Sequence, residues 1–361
     1  MRPVPMKSSE YLQNDRPKVS EETGKASCQG IGPDAMSKAQ ARKGCLITGV
    51  AGFVGSHLAD RLLSLDFEVV GVDNFFSGHR ENMASFIDHP NFYFHEYSIN
   101  QPYLLAALLK LHPRLSYCFH LAAIVSVPYS MDHPEETMDI NYRATASLVQ
   151  EADKLRFDSF LFAGSAAEYG NDQRLPLEEK YASEHTEHLS PYGRAKFYAS
   201  RSVAEMPFGV ALRFFNIYGP RQDPASPYSG VISRFIEMAL SGKPLTIFGD
   251  GLQTRDFVYV SDVVEAYLHA AGITGKVSLP FNGIYNVGTG KAATVLDLAK
   301  TILKLTGQPV DSLTFLCERA GDIRHSLAAV ECFQTESGWR PQISLHDGLH
   351  STTQWARQIA R

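Results

Sequence analysis

No apolar run in this 361-residue chain approaches the roughly 18 residues that a membrane-spanning helix requires. Cysteine is sparse. The five, Cys28, Cys45, Cys118, Cys317 and Cys332, are an odd number at wide spacing. They offer neither a disulfide framework nor a CxxC metal knuckle, and this usage points to the cytoplasm. The 13 His residues contain no HExxH pair, so no metal site is expected. An excess of positive charge is also missing. Against 34 Lys and Arg stand 39 Asp and Glu, a formal net charge of −5, which excludes a generally basic nucleic-acid binder. Residues 1–43 lack the apolar core of a secretory signal and read as a flexible tail, with a targeting or partner segment as the other reading.

With 44% hydrophobic residues, the remainder can bury a large core. From Gly44 onward strand and helix signals alternate. Strands are expected at Cys45–Thr48, Glu68–Asp73, Asn91–His95, Tyr117–Leu121, Ser159–Ala163 and Val210–Phe214. Helices are expected at Phe53–Ser64, Leu104–Leu111, Pro134–Leu155 and Pro191–Ala204. That rhythm predicts an α/β fold with a doubly wound parallel sheet covered on both faces. After Asn216 the rhythm gives way to loops rich in Gly and Pro. This divides the chain into a sheet domain at 44–215 and a smaller lobe at 216–361.

The first strand–turn–helix reads Thr48-Gly49-Val50-Ala51-Gly52-Phe53-Val54-Gly55, a GxxGxxG pattern. Glycines let the backbone approach a pyrophosphate, and the helix N-terminus offers unpaired N–H groups and a positive dipole end. Asp73 follows at the end of the second strand, where a carboxylate accepts from a ribose diol and repels a 2′-phosphate; that favours NAD over NADP. Tyr192 and Lys196, four residues apart, share one helix face. A Lys ammonium beside a phenol lowers its pKa, so Tyr192 is expected to serve as a base near neutral pH. Ser165 ends the fifth strand on the ligand side of a parallel sheet.

Together with FHLAAIVSVPYSMDHPEETMDINYRAT, SPYGRAK, LRFFNIYGPRQDP, IFGDGLQTRDFVYVSDVVEA, YNVGTG and RAGDIRHSLA, these motifs resemble the extended short-chain dehydrogenase/reductase superfamily, in its nucleotide-sugar epimerase/dehydratase branch. The resemblance runs from about residue 44 to 350 and is nearest to UDP-hexose 4-epimerases, including those acting on N-acetylated sugars. It implies a Rossmann-type domain that binds NAD, a C-terminal substrate-binding lobe with segments returning to the Rossmann domain, and a homodimer paired through Pro134–Leu155 and Pro191–Ala204. Gly49, Gly52, Phe53, Val54 and Gly55 would line the pyrophosphate, and Asp73, Asn74, Ser77 and Gly78 the adenosine ribose. Leu121, Ala122 and Ala123 would also line the cofactor. Ser165, Tyr192 and Lys196 match the catalytic set. Ser126, Asn216, Val231, Phe248, Arg255, Arg319, Asp322 and Ser326 would meet the nucleotide sugar. Two positions depart from the family pattern. Ser98-Ile99 replaces an acidic contact to adenine, and Ala144 stands at a customary glycine.

The resemblance implies a shared first step, oxidation at the sugar C4. Many dehydratases and decarboxylases of the family carry Glu two residues before the strand-end Tyr; here that residue is Ala167, preceded by Ala166. Glu168 is offset by one, and strand alternation would turn it to the other face. A 4-epimerase is therefore the leading expectation. A dehydratase, decarboxylase or other epimerase stays open, with Glu168 or Glu96 as its base, as does a non-catalytic NAD-binding scaffold. Ser326 aligns with a position that is bulky in epimerases restricted to plain hexoses, so room for a 2-acetamido group is expected.

Overall fold

The computed structural model describes residues 43–223, 230–318 and 323–359. The expected tail therefore lies outside the described residues except for Lys43, as do Arg319 and Asp322. Strand β1 (Gly44–Thr48) leads into helix α1 (Phe53–Ser64), β2 (Glu68–Asp73) and β3 (Phe92–Glu96). Then come α2 (Leu104–Leu111), β4 (Leu115–His120) and two short helices, α3 (Val127–Asp132) and α4 (Pro134–Met138). A π turn (Asp139–Ala144) joins α4 to α5 (Thr145–Lys154). Strand β5 (Ser159–Ser165), a 3-10 turn (Ala166–Tyr169), α6 (Pro191–Ala204), β6 (Gly209–Phe214) and β7 (Asn216–Tyr218) follow. The C-terminal part holds α7 (Val231–Leu240), β8 (Leu245–Phe248), β9 (Thr254–Tyr259), α8 (Val260–Ala270), β10 (Gly283–Val287) and β11 (Ala292–Thr294). It ends with α9 (Val295–Thr306), β12 (Leu313–Leu316), α10 (Glu331–Ser337) and α11 (Leu345–Ile359).

Seven strands form one sheet in the order β10-β6-β5-β4-β1-β2-β3, and every neighbouring pair is parallel. β1 and β2 are buried along their whole length, as their apolar stretches CLI and VVGV demand of a sheet covered on both faces. One face packs on α1 and α8 through Leu58, Leu62, Val263 and Tyr267, the other on α2, α5 and α6 through Leu105, Val149 and Ala199. The sheet draws on residues from both sides of position 216, because β10 pairs with β6. A separate core around Ile236, Ile247, Phe257 and Ile302 holds the smaller lobe together.

The expected helix Pro134–Leu155 is not one regular helix. It is interrupted by the π turn, and Asn141 within that turn has a task. Its side-chain oxygen accepts from Ile124 N–H and its amide donates to Ile124 C=O, both at 2.8 Å. The turn thereby pins the loop that leaves β4. Ala144, at the customary glycine, is buried in the α2/α5 core.

Helix α6 begins with Ser190 as N-cap, accepting from Gly193 N–H at 3.1 Å, and with Pro191 in the first turn. Gly193 lets this turn sit on the 3-10 turn after β5, for a Cβ there would lie 2.5 Å from Ala167 O. Gly193→Ala should push α6 off that turn and cost about 1–3 kcal/mol, the usual range for overpacking. Thermal denaturation checks this; an unchanged midpoint would mean that the contact yields freely.

Candidate active site

Two adjoining cavities open at the carboxyl ends of the sheet strands. The larger, about 690 Å³, is lined by every residue expected to meet the cofactor: Gly49, Gly52, Phe53, Val54, Gly55, Asp73, Asn74, Ser77, Gly78, Ser98, Ile99, Leu121, Ala122, Ala123, Tyr192 and Lys196. The smaller, about 220 Å³, is lined by Ser165, Ala166, Ala167, Asn216, Arg255 and Ser326, among others. Ser165 and Asn216 belong to both, so the two cavities meet at the end of β5.

The glycine turn fits a dinucleotide. Gly52 is the N-cap of α1 and has no side chain to satisfy the first helical N–H groups, which are left for a ligand. Gly55 permits the closure: a Cβ there would come within 2.1 Å of Gly49 O. Asp73 is buried, which raises its pKa, while N–H groups of Phe75 (2.8 Å) and Ala51 (2.9 Å) draw it back. Each carboxylate oxygen thus holds one backbone donor and keeps lone pairs for a diol. Across the mouth, His79 stands 3.4 Å from Asp223, joining the β2 loop to the loop after β7.

Tyr192 and Lys196 project from the first turns of α6 toward the end of β5. Burial pushes the Tyr192 phenol above its ordinary value, and a hydrogen bond with Ser165 acts against that. The expected help from Lys196 is not in place. Its ammonium donates to Ala163 O at 2.8 Å and lies 5.9 Å from the Tyr192 ring centre. The expectation of a phenol already lowered by its lysine is therefore corrected for the protein alone. Burial has pushed Lys196 itself down to about 8, so it is still mostly charged at neutral pH.

The residues expected at the substrate divide between those that line these cavities and those that do not. Ser126 is buried as the N-cap of α3, its hydroxyl accepting from Tyr129 N–H at 2.8 Å, and lines neither cavity. Val231 packs against the lobe core, and Phe248 is half-buried at the end of β8; neither lines either of these two cavities. Arg255 does, with its guanidinium donating to Thr254 O at 2.8 Å, whereas Asp256 is buried and accepts from Thr289 and Gly290. Ser326 is buried at the rim.

Sequence reading passed over Asn82, Glu136, Gln222, Asp223 and His325, which also line the cavities. Nothing local marks them, since each is delivered by a loop or helix whose position is a tertiary matter. The 3-10 turn also changes the argument about Glu168. Strand alternation does not apply to it, because β5 ends at Ser165. Glu168 is nevertheless withdrawn: fully buried, lining neither cavity, and paired with Arg213 Nε at 2.6 Å. Glu96 is exposed and held by Arg80 at 2.8 Å.

Residues 45–288 match the NAD dependent epimerase/dehydratase family. The chain belongs to that family. It is 34% identical over 324 residues to a UDP-glucose 4-epimerase of Mycolicibacterium smegmatis, covering 86% of this chain and 98% of that one. It is 33% identical over 328 residues to UDP-glucuronic acid decarboxylase 1 of Xenopus tropicalis, covering 88% and 73%. Among solved structures, a UDP-N-acetylglucosamine 4-epimerase from Methanobrevibacter ruminantium, in complex with UDP-N-acetylmuramic acid, superposes with a TM-score of 0.79. It shares 34% identity, with 88% of this chain and 99% of that one covered. The protein is an NAD-dependent enzyme of this family with a Rossmann-type sheet. No helix among the described residues is long and apolar enough to cross a membrane.

Gly55→Ala should weaken NAD binding at least about tenfold, because the turn must open to admit the methyl group. Asp73→Ala should weaken NAD and narrow its advantage over NADP. Titration of each variant with both cofactors checks this; unchanged affinities would detach these residues from the dinucleotide.

Proposed function

We propose that this protein is a nucleotide-sugar 4-epimerase that interconverts UDP-glucose and UDP-galactose and also accepts the 2-acetamido counterparts. The observation that carries this reading is the acid inventory around the smaller cavity. Where a dehydratase or decarboxylase of the family would place its acid, Ala166 and Ala167 line the wall. The carboxylates that do line the cavities are committed elsewhere. Asp73 accepts from Ala51 and Phe75, and Glu136 accepts from the Tyr129 hydroxyl at 2.8 Å. Asp172 is paired with Arg174, and Asp223 with His79. Among the described residues, none stands free to deprotonate C5 or protonate a departing 6-hydroxyl.

In this mechanism Tyr192 takes the proton of the C4 hydroxyl and later returns it, while Ser165 hydrogen-bonds the same oxygen. Lys196 would orient the cofactor ribose. NAD, held by the glycine turn at 49–55, Asp73 and Lys196, would supply a reversible hydride acceptor for C4. Arg255 and Asn216 hold the diphosphate, so the keto sugar can turn over without leaving. With no base for elimination, hydride return to the opposite face is the remaining outcome. Phosphate anchoring by Arg319 and ribose contact by Asp322 belong to the same reading, as do a cytoplasmic setting and a homodimer paired through α4, α5 and α6. Room for the acetamido group comes from Ser326, and the similarity to a UDP-N-acetylglucosamine 4-epimerase supports it.

Tyr192→Phe should cut turnover by at least about 100-fold while NAD stays bound, the usual share of general acid–base catalysis. Ser326→Tyr should abolish conversion of UDP-GlcNAc and leave UDP-glucose conversion within about tenfold. Proton NMR of incubations with UDP-glucose, UDP-GlcNAc and UDP-glucuronate reads all of this. An axial C4 product of unchanged mass is expected; release of water or carbon dioxide would overturn the reading.

A further inference from the structure

Glu168 is the acid that neighbours Tyr169 yet reaches neither cavity. We infer that it is a positioning residue, whose buried carboxylate ties the end of β5 to α6 and places one negative charge behind Tyr192 and Lys196.

The geometry is a three-way clamp. Oε1 of Glu168 accepts from Ser165 N–H at 2.9 Å and from the Ser200 hydroxyl at 2.8 Å. Ser165 answers with its own hydroxyl, which accepts from Ala167 N–H at 3.2 Å. Ser200 stands one helical turn beyond Lys196 on α6, so this single oxygen joins the strand end that presents Ser165 to the helix that presents Tyr192 and Lys196. Gly164 leaves the room, since a Cβ there would lie 2.9 Å from Oε1. Oε2 accepts from Arg213 on β6, whose guanidinium also donates to Glu179 O at 2.8 Å.

Stability alone does not account for such a pair. Glu168 and Arg213 are 0% and 1% exposed, and an apolar pair of similar size is often as stable or more so. What the ion pair adds is a charge at a defined place. The groups around it are few. Lys196 and Tyr192 on α6 face Glu168, and its charge raises both, working against the burial that lowers Lys196. His120 on β4 is held to about 3 by burial and by Lys196, so it is neutral. His188, before α6, is lowered by burial, with Arg194 and Arg213 adding to that. Tyr169 and Glu179 stand on the Arg213 side. Among the described residues, Glu168 is thus the one anionic group that acts on both Tyr192 and Lys196.

The inference rests on Tyr192 being the base of the proposed reaction, but its test does not need the substrate. In the full NAD-loaded chain, the phenolate of Tyr192 is titrated by its absorbance near 295 nm, taking Tyr192→Phe in the same background as the blank. Glu168→Gln keeps the size and removes the charge, so the Tyr192 midpoint should fall by at least roughly half a pH unit. With UDP-glucose, the limb of the kcat–pH profile set by Tyr192 should move to lower pH in step with that midpoint while KM stays within about threefold. Should Glu168→Gln not fold, Glu168→Gln with Arg213→Gln removes both charges and leaves an amide pair. The midpoint should again fall, because it is Glu168 that acts on Tyr192. A folded variant with lowered thermal stability and an unmoved midpoint would overturn the inference and leave the epimerase reading intact. A wild-type protein that converts no nucleotide sugar would overturn the epimerase reading, and the titration would still decide the role of Glu168.

Discussion

The branch between β1 and β4 is the point on which the structure depends. There the chain passes from one half of the sheet to the other, and the crevice at that switch is where a parallel sheet binds its ligand. One hydroxyl holds the branch. Thr48 Oγ1 accepts from Leu121 and Ala122 N–H, both at 3.2 Å, and lies 2.7 Å from His120 Nδ1. His120 is neutral, and its Nε2 lies 2.9 Å from Thr145 Oγ1, which donates to Asn141 O at 3.0 Å. The chain of bonds is consistent with one tautomer, in which Thr48 donates to Nδ1 and Nε2–H donates to Thr145. Asn141 then grips Ile124, so the loop above the cofactor cavity is tied to the sheet through buried, satisfied groups.

From this branch the site spreads outward by short, local devices. The glycine turn brings α1 against β1, and Asp73 at the end of β2 accepts from Ala51 within that turn. On the other side β5 delivers Ser165, and the glycine at 193 lets α6 come close enough to bring Tyr192 and Lys196 over it. The smaller lobe closes the far wall with Arg255 and Ser326, and β10 returns to the sheet so that the lobe cannot drift from the strands it serves. Each device is cheap alone, and the site exists because they converge on one edge.

The features legible in the sequence were those that a short stretch determines. The GxxGxxG turn, Asp73 at a strand end and the Tyr192–Lys196 spacing needed only strand, turn and helix periodicity, and the structure brings all of them to one cavity. What escaped depended on distant partners. The π turn at Asn141 follows from its bonds to Ile124, 17 residues away. Glu168 was placed away from the cavity by alternation along a strand that in fact ends at Ser165; its partners Ser200 and Arg213 are what hold it there. Ser126 is expected at the substrate by family likeness; its capping of α3, one residue on, is a local role that the likeness does not show. The ionisation of Tyr192 was misjudged for a related reason. Helical spacing puts Lys196 on the right face, yet the ammonium takes the Ala163 carbonyl, and burial then governs the phenol.

Epimerisation at C4 requires oxidation there followed by return of the same hydride to C4. The most direct test uses UDP-glucose carrying deuterium at C4, incubated with the purified NAD-loaded enzyme in ordinary water and followed by deuterium NMR. The label should stay on C4 in a product of inverted configuration. Label appearing at C6, or a product that has lost water, would contradict it.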